Sequence, residues 1–124
     1  ALSASALAAI RDAPVDTADL ESLGVELRAI MGRSAGVERE AQSIESGIGQ
    51  LAELAQRYAS ADGVSIAQNR ILCCQAILHA AQRRTESRGC HSRVDHPETD
   101  DRNWLGNIVL TLDDGRLETV FQPV

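Results

Sequence analysis

Apolar residues recur three and four positions apart over the first 85 residues and then change to alternation, which divides the chain into a helical part and a short strand-like tail. The cleanest run is Val37, Ala41, Ile44, Ile48, Leu51, Ala55 and Tyr58, seven positions on one seam of a helix expected over 37–59. Glu53 and Arg57 suit a supporting pair on its exposed side, and Ser60 to Gly63 closes it. Ahead of it Leu20, Leu23, Leu27, Ile30 and Met31 share one face of a helix over 16–35. Asp16 is placed to cap this helix, Val15 precedes the cap, Asp19 sits in the first turn, and Gly32 and Gly36 loosen the end. A third helix over 65–86 starts at Ser65 and carries two stripes, Ile71, Cys74, Leu78 and Ala81 beside Cys73, Ile77 and Ala80. So wide an apolar arc is expected to lie between two neighbours. Three helices with short connections predict a small antiparallel bundle.

Residues 1–14 are rich in Ala and Ser and end at Pro14, as a linker or short lead-in helix would, ahead of a domain over 15–124. After Glu86 the chain turns polar, and residues 87–103 read as an ordered loop. Ile108, Leu110 and Leu112 then alternate with Val109 and Thr111, Asp113-Asp114-Gly115 supplies a turn, and Leu117 to Phe121 is strand-like again. Asp-Gly between two such runs signals a β-hairpin, which is marginal in isolation and must lean on the bundle. The fold class is mainly α: a three-helix antiparallel bundle with a small C-terminal β-hairpin.

Composition narrows what such a bundle does. Aromatic residues amount to 2% (Tyr58, Trp104 and Phe121), so the core must be built from Leu, Ile, Val and Ala. A net charge of -6 argues against a nucleic-acid partner, which calls for a basic face. All twelve basic residues are Arg, a side chain suited to forked pairing with carboxylates, although a codon bias of the source gives the same pattern. Cys73, Cys74 and Cys90 are odd in number and two are adjacent, which fits a reducing, cytoplasmic setting better than a disulfide framework. No apolar run is long enough to span a bilayer, and the chain begins at Ala rather than Met, as an excised fragment would.

Most candidate chemistry dissolves on spacing. Gly47-Ile48-Gly49 with Ala52 fits a loose dinucleotide fingerprint, but that chemistry needs its glycines between a strand and a helix N-terminus, and these fall inside a helix. Cys90, His91 and His96 lack the four ligands in paired short spacings of a structural zinc site, and His79 sits late in a helix where a cation suits the dipole. Asp100, Asp101, Asp113 and Asp114 are adjacent acidic pairs of the kind that solvated turns carry. One segment stands apart: Arg84 to Asp95 packs three Arg, two carboxylates, a His and a Gly into twelve residues at the end of an apolar helix. A solvated cap accounts for Gly89 at positive φ but not for the interleaved charges, which suit a docking surface.

This segment resembles a known family. Arg84, Glu86-Ser87-Arg88-Gly89, His91, Arg93 and Asp95, followed by Pro97 and Asp100-Asp101, look like the motif that closes the last long helix in flavoprotein subunits of succinate dehydrogenase, fumarate reductase and L-aspartate oxidase. Leu27-Arg28 with Met31, Gly36-Val37 with Arg39, and Asn69 with Ile71-Leu72 are similar to other stretches of the same C-terminal domain. The likeness covers roughly residues 20–101 and implies a three-helix bundle. Within the family, the absence of a longer polar insertion after Arg93-Val94-Asp95 resembles L-aspartate oxidase, whereas Arg93, Asp100-Asp101 and Trp104 also resemble the dehydrogenases. The first resemblance implies an FAD enzyme that takes hydride from C2 of L-aspartate, gives iminoaspartate for quinolinate and NAD synthesis, and has quinolinate synthase downstream. The family's flavin cradle and substrate-binding residues lie in earlier domains. No catalytic, cofactor-binding or metal residue therefore transfers, and Arg84, Glu86, Ser87, Arg88, Gly89, His91, Arg93 and Asp95 are expected to dock this domain onto the FAD-binding and capping domains. The rival expectation is a free-standing acidic adaptor that binds a partner helix along its seam.

Overall fold

The computed structural model describes residues 17–59 and 65–124. Three long helices dominate: α1 (Thr17–Ser34), α2 (Ala41–Arg57) and α3 (Ile66–Arg83). Cross-helix bonds from Arg33 to Gln50 at 3.1 Å and from Arg57 to Glu26 at 2.9 Å set α1 antiparallel to α2. The core is aliphatic, as the scarcity of aromatics requires. Leu23, Leu27 and Ile30 come from α1, Ile44, Leu51 and Leu54 from α2, and Ala67, Ile71, Leu78 and Ala81 from α3. Each fully buried Leu or Ile contributes about 1.5–3 kcal/mol, so the three stripes are what holds the bundle closed. Among the described residues no helix is long and apolar enough to cross a membrane.

Helix boundaries depart from periodicity in instructive ways. Val37 is 85% exposed and precedes α2 rather than joining its seam. The next two residues form β1 (Glu38–Arg39), which pairs in parallel with β2 (Ser92–Arg93) inside the stretch expected to be loop. The extended backbone is held there because Val94 donates to the Arg39 carbonyl at 2.9 Å, so the helix cannot start until Ala41. On α2 the buried line is Ile44, Gly47, Leu51 and Leu54, with Ile48, Ala55 and Tyr58 beside it. Gly47 carries no apolar side chain to reveal this. A Cβ built there would lie 2.6 Å from Ser34 Cβ and 2.8 Å from Leu78 Cδ1, so the glycine permits all three helices to meet. Arg57 reaches Glu26 on α1 instead of Glu53 on its own helix.

In α3 the Ser65 hydroxyl accepts from the Gln68 N–H at 3.1 Å, the cap expected from sequence. Its second stripe is not sandwiched: Cys73 is exposed and Ile77 is 50% exposed. Only one face of α3 meets α1 and α2, because the described part of the chain has no fourth long helix to cover the other. The helix ends at Arg83, leaving Glu86 outside it. The residues expected to open α1 (Val15, Asp16) and to close α2 (Ser60 to Gly63), and the lead-in over 1–14, lie outside the described part. A short helix α4 (Asp101–Trp104) then leads into the antiparallel hairpin β3 (Gly106–Asp113) and β4 (Arg116–Pro123). Its two-residue turn, Asp114-Gly115, has φ of 44° and 76°, the left-handed pair that matches the strand twist. The hairpin leans on α3 through Arg83, which donates to the Thr119 hydroxyl at 3.2 Å, and through Arg84.

Candidate functional site

Where α3 stops, its last carbonyls have no helical partners, and the following segment returns to fill the gap. The Arg93 guanidinium donates to the carbonyl of Ala81 at 3.0 Å and of Arg84 at 3.3 Å, placing a cation on the negative end of the helix. Arg93 is 2% exposed and is neutralised by Asp95 through a two-pronged contact of 2.7 and 2.6 Å. The Asp95 carboxylate in turn accepts the Ala41 N–H at 3.0 Å, at the positive end of α2. One ion pair thus joins the C-terminus of α3 to the N-terminus of α2. The Arg93 fork, with help from the Ala41 N–H, holds the Asp95 carboxyl well below its usual range despite burial.

Glu86 forms the second centre. It has no exposed surface, and its carboxylate accepts from Arg84, from Arg88 at 2.9 and 3.1 Å, and from the Asp100 N–H at 2.8 Å. The hydrogen bonds from Arg88 lower its pKa from 4.5 to about 2; burial opposes this, while the Asp100 N–H and Arg84 reinforce it. Arg84 continues outward to the carbonyls of Trp104 and Gly106 and lies over the indole at 5.5 Å. Trp104 meets Phe121 edge to face at 5.3 Å, so one guanidinium ties the buried carboxylate to the root of the hairpin. Arg88 reaches Asp101 at 2.6 Å, and Glu86 and Asp101 together raise its pKa further.

The neutral members complete the knot. The Ser87 hydroxyl accepts the Arg93 N–H at 2.8 Å and lies 2.9 Å from the His96 carbonyl. Gly89, at φ 57°, turns the chain so that Arg88 and His91 exchange backbone bonds of 2.8 and 2.9 Å. His91 Nδ1 faces an Arg39 donor at 2.9 Å, so it accepts, and Nε2–H donates to the Arg84 carbonyl at 3.2 Å. Burial is the main cause holding His91 in this neutral form, and the surrounding Arg charges add to it.

All eight residues singled out from sequence therefore converge on one place, with their charges paired inside the domain. Three further contributors were tied by sequence to the family's pattern but given no part in this cluster. Arg39 lies 52 residues from His91, and nothing local announces their contact. Asp100 and Asp101 are more than solvated turn residues. The Asp100 side chain caps α4 by accepting the Asn103 N–H at 3.1 Å, and Asp101 holds Arg88. Cys90 is exposed at the tip, and His91 spends both ring nitrogens on protein partners.

A family model described as the fumarate reductase flavoprotein C-terminus matches residues 25–124, which take in all of the buried core except Leu23, together with the knot and the hairpin. The chain belongs to this flavoprotein family. It is 35% identical over 101 residues to the succinate dehydrogenase flavoprotein subunit of Coxiella burnetii, covering 71% of this chain and 17% of that one. The likeness to the L-aspartate oxidase of Streptomyces coelicolor is nearly equal, 34% over 101 residues, covering 73% and 17%. Among solved structures, Mycobacterium smegmatis Sdh1 in complex with UQ1 superposes with a TM-score of 0.64 at 26% identity, over 83% of this chain and 20% of that one. The chain thus spans about a sixth of the length of the curated relatives it matches.

A flavoprotein needs a cradle for its flavin, and the residues described here do not fit one. Gly47 and Gly49 lie in the middle of α2, away from a helix N-terminus, and the space above Gly47 is filled by Ser34 and Leu78.

Proposed function

We propose that this chain is the non-catalytic C-terminal domain of a longer FAD-dependent L-aspartate oxidase, which oxidises L-aspartate to iminoaspartate. The observation that carries the structural role is the knot itself. Its buried ionised groups are committed to one another and to helix ends, which leaves none poised to act on a substrate. In this reading the segment containing Arg84, Glu86, Ser87, Arg88, Gly89, His91, Arg93 and Asp95 docks the domain against the FAD-binding and capping domains. Glu86 and Arg93 stiffen it from within, while the partly exposed Arg88 and the Gly89-Cys90 tip face outward. The short connection from Asp95 to Asp101, closed by the Asp100 N–H on Glu86, supports the oxidase over the dehydrogenases.

A second reading, the same domain of a succinate dehydrogenase or fumarate reductase flavoprotein, draws on the near-equal identity to the Coxiella burnetii subunit and on the likeness to Sdh1. Purified full-length protein decides between them. Anaerobic L-aspartate should bleach the flavin absorbance while succinate leaves it unchanged; the reverse establishes the second reading. The 124-residue chain alone should purify colourless, and a bound-flavin spectrum from it would overturn the non-catalytic assignment.

A further inference from the structure

The extended stretch β1 has little apolar packing to hold it. Val37 just before it is 85% exposed, Glu38 is exposed as well, and the ladder with β2 is two residues long. What fixes it is the Arg39 side chain. Its Nε–H donates to the Gly36 carbonyl at 3.0 Å, at the break after α1, and a terminal N–H donates to His91 Nδ1 at 2.9 Å. A segment with so few apolar contacts opens at low cost once such a bond is lost.

This contact admits one charge state. A guanidinium does not give up its protons, so His91 Nδ1 has to be the bare nitrogen of a neutral ring. An imidazolium there would set N–H against N–H and bring two cations to 2.9 Å. The charged groups that face the ring are Arg39 from β1, Arg84 from the end of α3 and Arg93 from β2. Arg93 also donates to the Arg84 carbonyl that His91 Nε2–H reaches. The carboxylates of the knot are engaged elsewhere, Asp95 with Arg93 and the Ala41 N–H, Glu86 with Arg84, Arg88 and the Asp100 N–H. Glu38 and Glu40, on either side of Arg39, are exposed, and among the described residues no carboxylate forms an ion pair with His91.

We infer that His91 and Arg39 form a proton-operated latch: protonating the ring releases Arg39 and opens the β1–β2 ladder, while the carboxylate-centred pairs of the knot stay closed. The inference concerns this domain alone and stands apart from which substrate the full-length protein oxidises. Burial, with the surrounding arginines, holds His91 below its ordinary 6.5, so the open form binds the proton more readily. The closed latch is therefore at full strength above pH 6.5 and weakens as pH falls below that value. Glu86, lowered to about 2, and Asp95, lowered likewise, remain ionised through that window. Mild acid thus loosens β1 from the segment after α3 before the knot itself yields.

Hydrogen exchange on the full-length protein, resolved to single amides and corrected for intrinsic rates, tests this. The Val94 N–H, which donates to the Arg39 carbonyl, should lose about tenfold in protection between about pH 7 and pH 5.5, as one linked proton allows. The Ser87 and Asp100 amides, bonded to the Glu98 carbonyl and to Glu86, should keep theirs. His91→Asn, whose side-chain oxygen stands in for Nδ1 as the acceptor, should hold Val94 protected at both pH values. Arg39→Met, which keeps the stem and removes the donor, should leave Val94 poorly protected at both. His96→Asn is the control, since His96 joins the segment through its backbone, and it should behave as the parent. Val94 protection that ignores pH in the parent would overturn the latch, as would a pH dependence that survives in His91→Asn or Arg39→Met or vanishes in His96→Asn. Loss of Ser87 and Asp100 protection in step with Val94 would also overturn it, because the whole knot would then be opening as one.

Discussion

At Glu86 a carboxylate sits beyond the reach of water, a placement that is unfavourable unless every acceptor site is used. Two guanidinium groups and the Asp100 N–H use them. Glu86→Ala should therefore destabilise the protein by about 3–5 kcal/mol, because it opens a cavity, leaves Arg84 without a carboxylate and costs Arg88 one of its two. Urea unfolding followed by circular dichroism measures this; a loss within ordinary surface values would show the pairs to be expendable. The same residue sets an acid limit. Its folded pKa, about 2, lies below its ordinary 4.5, so in that window the unfolded chain binds the extra proton. The stabilisation is complete above pH 4.5 and is lost as pH falls toward 2; Asp95 is shifted in the same direction. His91, also lowered, begins the decline below 6.5. The urea midpoint should fall along this path in the parent chain and more shallowly in Glu86→Ala. Sequence located these residues through their density of charge but not their pairings, since Glu86 and Asp100, or Arg39 and His91, meet only after the chain has folded back.

Helices and turns were legible where many residues vote together. Stripes of three or more aliphatics placed all three helices within a few residues, and Asp-Gly placed the hairpin turn. The two-residue strands β1 and β2 were not legible, because two residues set no period and their ladder depends on a partner far along the chain. Gly47 was misleading for a related reason: its contribution is the absence of a side chain. It also yields a contrast within one helix. Gly47→Ala gains about 1 kcal/mol in helix propensity but drives a methyl into Ser34 and Leu78, an overpacking that costs about 1–3 kcal/mol, so the net effect should be destabilising. Gly49→Ala, with nothing within 4 Å, should instead stabilise α2 by up to about 1 kcal/mol. Thermal melts of the two variants check both signs, and a stabilised Gly47→Ala would mean that α1 and α3 can move apart around α2.

At the scale of the whole molecule, an acidic bundle carries a buried charge knot at one end and an exposed apolar line leading from it. These are the parts of one surface if the domain is braced against a larger flavoprotein. Arg88 is the place to separate bracing from self-support, because it holds Glu86 and Asp101 within the domain yet keeps a third of its side chain exposed. Within the isolated chain, Arg88→Ala leaves Glu86 its contacts with Arg84 and the Asp100 N–H, so the bundle should lose only part of the knot. In the full-length protein the same change should lower the melting temperature further and weaken flavin retention, because the outward side of the segment would also lose its neighbour. Differential scanning calorimetry of both proteins, with released flavin followed by fluorescence, makes the comparison. Equal losses of stability in fragment and full chain would make the segment an internal clamp alone. No loss in either would reduce Arg88 to a solvated cap, despite its two carboxylate partners.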